Sequence, residues 1–241
     1  MAASSFKRPH HNRIAQVLLA FNPQVLDRCG CFFGGGTAIA LAFGEFRESV
    51  DIDFLVSDLD GFREIRELMT GPNGLAPLLK PGAHIELARE VRSSQYKVET
   101  MLKVDGMPIK FEIVLEGHIQ LDPSSTHICG IRTLGPVDML ATKLMANSDR
   151  LFADDTRNRD LIDMAMMQPS KAVMAKAAAK VRQTIYKNSF EPNLAKAIAR
   201  VQEREGWLET CLKQMQITAP RASVLELIKK LSPHASELFH H

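Results

Sequence analysis

The chain has 241 residues, of which 45% are hydrophobic and 24% are charged, so it can bury a substantial core as one large or two small domains. Its 30 basic and 28 acidic residues give a formal net charge of +2, and the overall charge therefore gives little support to nucleic-acid binding. We find no signal peptide and no apolar stretch long enough to span a membrane, and we expect a cytoplasmic protein.

The cysteines do not have the spacing of a zinc site. Cys29 and Cys31 form a single Cys-x-Cys pair without a matching second pair, and the remaining two are Cys129 and Cys211. We expect free, buried thiols in a reducing compartment.

The first predicted elements are a helix and a short strand. Asn12 is a suitable N-cap for a helix that runs to about Phe21, because apolar residues recur along this segment with helical spacing. Residues 31–33 predict a strand that leads into a glycine turn.

The glycine turn consists of Gly34, Gly35 and Gly36, and it precedes an apolar helix that opens with Thr37. Because this backbone lacks Cβ atoms, a large anion can approach it closely. A helix N-terminus also presents unpaired N–H groups and the positive end of the helix dipole, which favour phosphate. The pattern predicts a phosphate-binding turn, although three glycines before a helix also occur in simple tight turns.

Residues 50–56 predict a strand whose side chains alternate between two faces. One face carries Val50, Ile52, Phe54 and Val56, and the other carries Asp51 and Asp53. Two adjacent carboxylates repel each other unless a cation lies between them, and such hard oxygen ligands suit Mg²⁺ or Mn²⁺. An Asp-x-Asp pair is often only solvated surface, but this one follows the glycine turn within one turn–helix–strand unit. Together the two motifs predict chemistry on a nucleoside triphosphate.

Two other nucleotide-binding motifs are excluded. Ile39 stands where the dinucleotide fingerprint requires its third small residue. The sequence Gly-x-x-x-x-Gly-Lys-Ser/Thr of a P-loop does not occur.

A helix and an antiparallel meander are predicted next. Asp58 or Asp60 caps a helix through Met69. Residues 72–83 predict a loop with a short helical turn, and strands follow over residues 84–91, 95–104 and 107–116. The dipeptide Asp105-Gly106 is the predicted hairpin turn before the last strand. That strand places Ile109, Phe111, Ile113 and Leu115 on one face and Lys110, Glu112, Val114 and Glu116 on the other.

The chain from Gly135 onwards is predicted to be helical. Pro136 suits the first turn of a helix over residues 137–145, which carries Lys143. A second helix carries Arg159, Asp160 and Asp163, and the last two share a face because they are three residues apart. Further helices are predicted over residues 171–186 (with Ser170 as N-cap), 194–203, 207–215 and 224–231. The predicted fold class is α+β, with a mixed-sheet domain over residues 1–134 and a helical domain over residues 135–241.

The helical part of the chain is rich in basic residues. They are Lys171, Lys176, Lys180, Arg182, Lys187, Lys196, Arg200, Lys213, Lys229 and Lys230. A solvated surface is the ordinary interpretation, and binding of an RNA acceptor is the sharper alternative.

The motifs together resemble one known family. The matching segments are Gly35-Gly36-Thr37, Arg47-x-Ser49-x-Asp51-x-Asp53-Phe54, Leu140-Ala141-x-Lys143-Leu144 and Arg159-Asp160-x-x-Asp163. They resemble the nucleotidyltransferase AbiEii/AbiGii toxin family, within the DNA polymerase beta-like nucleotidyltransferase superfamily. The resemblance extends from about Gly34 to Asp163.

This resemblance implies a nucleotidyltransferase fold and a toxin of a type IV toxin–antitoxin pair, with a cognate antitoxin as partner. The implied reaction moves a nucleoside monophosphate from an NTP to a hydroxyl of RNA, such as tRNA. Asp51 and Asp53 would hold Mg²⁺ or Mn²⁺, and Glu112 would supply the third carboxylate of the superfamily. The glycine turn and Thr37 would bind the triphosphate. Lys143 would contact its phosphates, with Asp160 or Asp163 anchoring that lysine or the nucleotide.

Several of these residues also have simpler interpretations. Glu112 is otherwise an exposed strand glutamate, and Lys110 either contacts phosphate or neutralises Glu112. Lys143 alone would be interpreted as a solvated helix lysine. Arg159 and Asp163 could form a surface ion pair. Arg47 and Ser49 are expected to brace the loop before the Asp-x-Asp strand rather than to take part in chemistry, and we leave them out of the reacting set.

Two other function classes remain open from the sequence. A non-catalytic NTP- or RNA-binding regulator could have the same fold, because the third carboxylate rests on pattern alone. A metal-dependent glycosyltransferase also uses Asp-x-Asp, but it would not need the glycine turn before that strand.

Overall fold

The computed structural model describes residues 6–156 and 158–231. The chain divides into two compact units, the first comprising Met1–Glu45 and Ser49–Gly135 and the second Phe46–Glu48 and Pro136–His241. The sequence-based division places the boundary one residue earlier, between residues 134 and 135, and it does not assign Phe46–Glu48 to the second unit. No helix in the described part of the chain is long and apolar enough to cross a membrane.

The first unit combines a mixed sheet with helices. Its helices are α1 (Pro9–Ala20), α2 (Pro23–Arg28), α3 (Gly35–Ala42) and α4 (Leu59–Thr70). Its strands are β1 (Cys31–Gly34), β2 (Ile52–Val56), β3 (Glu86–Ser93), β4 (Lys97–Val104), β5 (Met107–Leu115), β6 (His127–Ile128) and β7 (Ile131–Arg132). A short 3₁₀ turn, Ala76–Leu78, lies within the segment predicted as a loop with a helical turn.

The main sheet has five strands in the order β1-β2-β5-β4-β3, and β6 and β7 form a separate pair. β2 and β5 run parallel, whereas the other neighbouring strands run antiparallel. The predicted mixed sheet is therefore confirmed. Because β2 and β5 are neighbours, the strand with Asp53 lies directly beside the strand with Glu112.

Phenylalanine side chains form the core against one face of this sheet. Phe21, Phe33, Phe54 and Phe111 are completely buried, and their rings contact one another with centroids between 5.4 and 5.9 Å apart. Such pairs contribute about 0.5–1.5 kcal/mol each beyond the burial of their surface. Phe54 belongs to β2 and Phe111 to β5, so alternation directs their neighbours Asp53 and Glu112 to the opposite face.

Two predicted local signals are present as expected. Asp58 is the N-cap of α4, since its carboxylate accepts a hydrogen bond of 2.7 Å from the backbone N–H of Gly61. Asp105 and Gly106 both have positive φ angles, 50° and 75°, which the tight hairpin turn between β4 and β5 requires.

The second unit is helical in its described part. Its helices are α5 (Pro136–Arg150), α6 (Arg159–Met167), α7 (Lys171–Val181), α8 (Phe190–Glu203), α9 (Trp207–Gln214) and α10 (Arg221–Lys229). Leu140 and Leu144 lie one turn apart on α5 and are completely buried, as the predicted apolar face requires. Ser170 caps α7 by accepting a hydrogen bond from the backbone N–H of Val173.

Several predicted boundaries were wrong. α1 begins at Pro9 rather than Asn12, because a proline fits the first helical turn, where its missing N–H has no cost. α7 ends at Val181 rather than Tyr186, and the Thr184 hydroxyl bonds to the carbonyl oxygen of Val181 in place of further helix.

The start of the Asp-x-Asp strand also differs. β2 begins at Ile52, so Asp51 lies just before the strand. The side chain of Val50 is 48% exposed and does not belong to the core face. β6 and β7 were not predicted, since two residues are too short a run to show alternation.

Candidate active site

Asp53 and Glu112 are direct partners on neighbouring parallel strands. The register of β2 and β5 pairs Asp53 with Glu112, and Ile52 with Phe111. Both carboxylate residues are half-buried, on the sheet face opposite the phenylalanine core. The sequence alone could not show this pairing, which brings the Asp-x-Asp motif next to the proposed third carboxylate.

Two lysines neutralise this group of carboxylates. Lys110 Nζ lies 2.6 Å from Glu112 Oε2, and Lys97 Nζ lies 3.8 Å from the same atom. Burial alone would lower the pKa of Lys110, but its hydrogen bond to Glu112 and the charges of Glu112, Asp51 and Asp53 raise it. The lysine is therefore charged at neutral pH, and all three carboxylates act on one cation.

The donor set at this position fits a divalent cation such as Mg²⁺ or Mn²⁺. Such ions prefer carboxylate oxygens, and the pKa of Lys110 shows that Asp51, Asp53 and Glu112 together favour positive charge. Within residues 6–156 and 158–231, no three His, Cys, Asp or Glu side chains are gathered closely enough to hold a metal as they stand. Glu112 is instead turned to Lys110, so it would have to exchange the ammonium group for a metal.

The glycine turn lies against Asp53. Gly35 has a φ of +66°, and a Cβ atom added there would lie 2.2 Å from Oδ2 of Asp53. At Gly34 an added Cβ would lie 2.5 Å from the side chain of Leu55. α3 begins at Gly35, and both Gly35 and Gly36 are half-exposed. The first N–H groups of α3 are thus next to the Asp-x-Asp strand, as a phosphate-binding turn requires.

Thr37 is buried, and its hydroxyl bonds within the fold. Its Oγ1 donates to the carbonyl oxygen of Asp51 at 2.5 Å and lies 2.7 Å from Oγ of Ser49. Thr37 and Ser49 therefore fix the backbone immediately before β2, and the predicted bracing role of Ser49 has a direct geometric basis. The assignment of Thr37 to nucleotide binding stays a prediction.

In the second unit, a buried cluster of charges surrounds Lys143. Lys143 Nζ lies 2.9 Å from Oδ1 of Asp160 and 2.7 Å from Oδ2 of Asp163. Arg47 donates to both carboxylate oxygens of Asp163, at 2.7 and 3.0 Å. Arg150 completes the cluster by pairing with Asp160.

Burial and charge act in opposite directions on Asp163. Its side chain has no exposed surface, which alone would raise its pKa, but the charges of Arg47 and Lys143 lower the pKa overall. Asp163 is therefore ionised, and it pairs with Arg47 and Lys143 rather than with Arg159 on the surface. Lys143 is likewise buried and not a solvated helix lysine.

The basic residues of the helical unit are less available than their number suggests. Ion pairs among the described residues of this unit join Lys180 to Asp138, Arg182 to Glu191, Arg200 to Asp154, and Lys229 to Glu226. The exposed residues that could still form a patch include Lys176, Lys187, Lys196 and Lys213.

Sequence reasoning missed some residues near the carboxylates. Lys97 and Glu99 lie on β4, where Glu99 is the register partner of Glu112 and lies 2.6 Å from Lys97. Because Lys97 and Glu99 alternate with the buried Val98, the sequence could have placed them on the sheet face away from the core. It could not have shown that β4 lies beside the strand with Glu112.

The cysteines have no part in these clusters. Cys29, Cys31 and Cys211 are buried, as expected, whereas Cys129 is only partly buried. Burial raises the pKa of Cys29 to about 11 and that of Cys31 well above its ordinary value.

Comparison with solved structures shows the class of the fold. A protein from H. pylori, provisionally described as a nucleotidyltransferase, is 15% identical with a TM-score of 0.50, over 96% of this chain and 97% of the other. JHP933 from Helicobacter pylori is 15% identical with a TM-score of 0.46, over 98% and 100% of the two chains. An antigenic nucleotidyltransferase-like protein from Paracoccidioides brasiliensis is 17% identical with a TM-score of 0.42, over 83% and 90%. The fold is that of a nucleotidyltransferase.

The family follows from the sequence comparison. Residues 16–228 match the family described as "Nucleotidyl transferase AbiEii toxin, Type IV TA system", and the chain belongs to that family. The predicted resemblance is thereby confirmed. No curated protein matches the chain by sequence. Membership of a type IV toxin family implies a cognate antitoxin.

Proposed function

We propose that this protein is a metal-dependent nucleotidyltransferase that moves a nucleoside monophosphate from an NTP to a hydroxyl group of RNA, such as a tRNA. Family membership supports the reaction class and the toxin role. The observation that carries the proposal is the register that pairs Asp53 with Glu112, next to a glycine turn whose Gly35 lies against Asp53.

Asp51, Asp53 and Glu112 are the residues that would hold Mg²⁺ or Mn²⁺. Of two metal ions held there, one would lower the pKa of the acceptor hydroxyl and the other would neutralise charge on the leaving pyrophosphate. The carboxylates provide the negative charge and the hard oxygen atoms for this site. Lys110 neutralises Glu112 in the protein by itself, and its ammonium group would become available to phosphate if Glu112 bound the metal instead.

The glycine turn would hold the triphosphate. The first N–H groups of α3, at Gly35 and Gly36, are fixed donors that need no rearrangement when negative charge develops in the transition state. Thr37 contributes by holding the carbonyl group of Asp51, which keeps the turn and the carboxylate in one rigid unit.

Lys143 is the remaining catalytic residue in the proposal, with Asp160 and Asp163 as its partners. The ammonium group of Lys143 lies between the carboxylates of Asp160 and Asp163, which hold it in one orientation for contact with a phosphate group. Asp160 and Asp163 would anchor this lysine or the incoming nucleotide.

A direct test measures metal-linked NTP binding and transfer. Calorimetry with each of the four NTPs, with and without Mg²⁺ or Mn²⁺, should give binding that depends on the metal. Incubation with labelled NTPs, Mg²⁺ and total RNA should then label RNA and release pyrophosphate.

The same assays separate the alternatives. NTP or RNA binding without any transfer would indicate a non-catalytic regulator. Binding of nucleotide sugars in preference to NTPs would indicate a glycosyltransferase. No metal-linked binding of any NTP would refute the enzyme proposal.

A further inference from the structure

The loop that leads into Asp51 is held by two histidines of α1, which no motif in the sequence indicates. His11 is completely buried, and its Nδ1 lies 2.8 Å from Oε1 of Glu45. Its Nε2 accepts a hydrogen bond of 3.2 Å from the backbone N–H of Ser49. His10, on the exposed side, bonds through Nε2 to the carbonyl oxygen of Val50 at 3.1 Å. α1 therefore holds the two residues directly before Asp51.

The contacts of His11 fix its tautomer. Nε2 has no proton because it accepts a hydrogen bond from the backbone N–H of Ser49, so Nδ1 carries the proton and donates to Glu45. Glu45 also accepts from the backbone N–H groups of Lys7 and Arg8, at 2.7 and 3.2 Å. The imidazole is thus held from both sides in a single orientation.

A continuous series of hydrogen bonds runs from His11 to Asp51. Ser49, whose N–H bonds to His11, has its hydroxyl 2.7 Å from that of Thr37. Thr37 in turn donates to the carbonyl oxygen of Asp51 at 2.5 Å. All these residues belong to the first unit. A leucine could fill the volume of His11 without the cost of burying a polar ring. The histidine therefore contributes its directional hydrogen bonds rather than its packing.

We propose that His11 is a positioning residue of the active centre, which sets the backbone at Ser49 and thereby the direction of the Asp51 carboxylate. The inference rests on the proposed function, since that direction matters only when the carboxylate takes part in the reaction. A displacement of about 1 Å in a reacting group can lower a rate about 100-fold, so a loosened loop has a measurable effect.

Two variants separate positioning from packing. In His11→Gln the amide oxygen reaches the position of Nε2 and can accept the hydrogen bond from the backbone N–H of Ser49. In His11→Asn the shorter amide reaches only the position of Nδ1, so it keeps the hydrogen bond to Glu45 and loses the one from Ser49. Both lose packing and stability. We expect kcat for nucleotidyl transfer to fall about 10- to 100-fold more in His11→Asn than in His11→Gln, with KM for the NTP unchanged. Equal kcat values in the two variants would overturn the proposal.

Two further measurements keep the test decisive. Ser49→Ala keeps the backbone N–H that donates to His11 and removes only the hydroxyl link to Thr37, so kcat should fall less than in His11→Asn; an equal or larger fall would overturn the proposal. Mn²⁺ affinity, measured by calorimetry without NTP, should be weaker in His11→Asn than in His11→Gln. A wild-type protein that binds Mn²⁺ but transfers nothing would contradict the proposed function, whereas equal Mn²⁺ affinities in the variants would contradict the positioning role alone.

Discussion

Gly35 and Asp53 are in such close contact that only glycine fits between the turn and the strand. A Cβ atom at Gly35 would lie 2.2 Å from Oδ2 of Asp53, and the φ of +66° is also unfavourable for other residues. The carboxylate of Asp53 therefore rests directly on the turn that we propose to bind phosphate.

Gly35→Ala should abolish nucleotidyl transfer while the protein remains folded. The new methyl group must displace the Asp53 carboxylate, and the positive φ adds strain of about 1–2 kcal/mol. Gly30→Ala is the matched control, because Gly30 has a φ of +60° with open space around its Cβ position. Thermal melts should show a loss from the positive φ in both variants and a further loss from the clash with Asp53 in Gly35→Ala, and transfer assays should show a loss in Gly35→Ala alone. Comparable activity in the two would mean that the contact with Asp53 is unimportant.

Asp51→Asn, Asp53→Asn and Glu112→Gln should each lower the transfer rate by several orders of magnitude, because each keeps its shape but loses a charged metal ligand. Double variants should lose little more, since the residues serve one centre. Asp58→Asn is the control, as asparagine also caps α4 well. Full activity in Glu112→Gln alone would mean that the third ligand is wrongly assigned, and full activity in all three would refute the site.

The same variants should differ in stability when no metal is added. Asp51→Asn and Asp53→Asn relieve repulsion between carboxylates and should hold or raise the melting temperature. Glu112→Gln should lower it, because Lys110 then loses its partner at 2.6 Å. Thermal melts in the presence of a chelator measure the difference, and a rise for Glu112→Gln would show that repulsion dominates there too.

Lys110→Met should strengthen Mn²⁺ binding. The ammonium group of Lys110 occupies Glu112 and is attracted by Asp51 and Asp53, so a metal must compete with it. Calorimetric titration of the variant with Mn²⁺ tests this, with Lys103→Met as control because Lys103 pairs with Glu86 instead. If metal binding is unchanged and NTP affinity falls instead, Lys110 is a phosphate ligand and not a counter-ion.

Asp163→Asn should destabilise the second unit at neutral pH, since it leaves Arg47 and Lys143 buried with less compensating charge. Breaking a buried ion pair in this way costs about 3–5 kcal/mol. Asp60→Asn is the control, because Asp60 and Arg63 form an exposed pair whose loss has little effect. Urea unfolding at pH 7 compares them, and equal stabilities would show that the buried cluster contributes nothing.

The pH dependence of stability should also change in Asp163→Asn. The folded pKa of Asp163 is lowered from its ordinary value of 3.8. Its contribution is therefore complete above about pH 4 and is lost as the pH falls through the folded pKa. Wild-type protein should lose stability more steeply below about pH 4 than the variant does. Parallel acid-unfolding curves would assign the acid sensitivity to other groups.

Local patterns were sufficient to predict much of the first unit. Alternation placed Asp53 and Glu112 on faces away from the core, and the Asp105-Gly106 turn correctly joined β4 to β5. What alternation could not give was the pairing of β2 with β5, because these strands are distant in sequence. The position of Asp53 beside Glu112 depends on that pairing.

Charged residues in the interior were harder to predict. Arg47 and Asp163 are 116 residues apart, and nothing local to Arg47 shows that its partner lies in α6. His11 was missed for a similar reason, since its role depends on Ser49, which follows it by 38 residues. Buried polar contacts of this kind are set by tertiary packing, and no periodicity marks them.

The membership of Arg47 in the second unit limits how the protein can be rearranged by recombination. The segment Phe46–Glu48 ends three residues before Asp51, the first of the proposed metal ligands, yet it supplies the guanidinium group that neutralises Asp163. A gene fragment that begins at Pro136 encodes the buried aspartate without its arginine. A chimaera that joins two relatives at Pro136 takes position 47 from one parent and position 163 from the other. We therefore expect such a chimaera to fold only when both parents have an arginine and an aspartate at these positions.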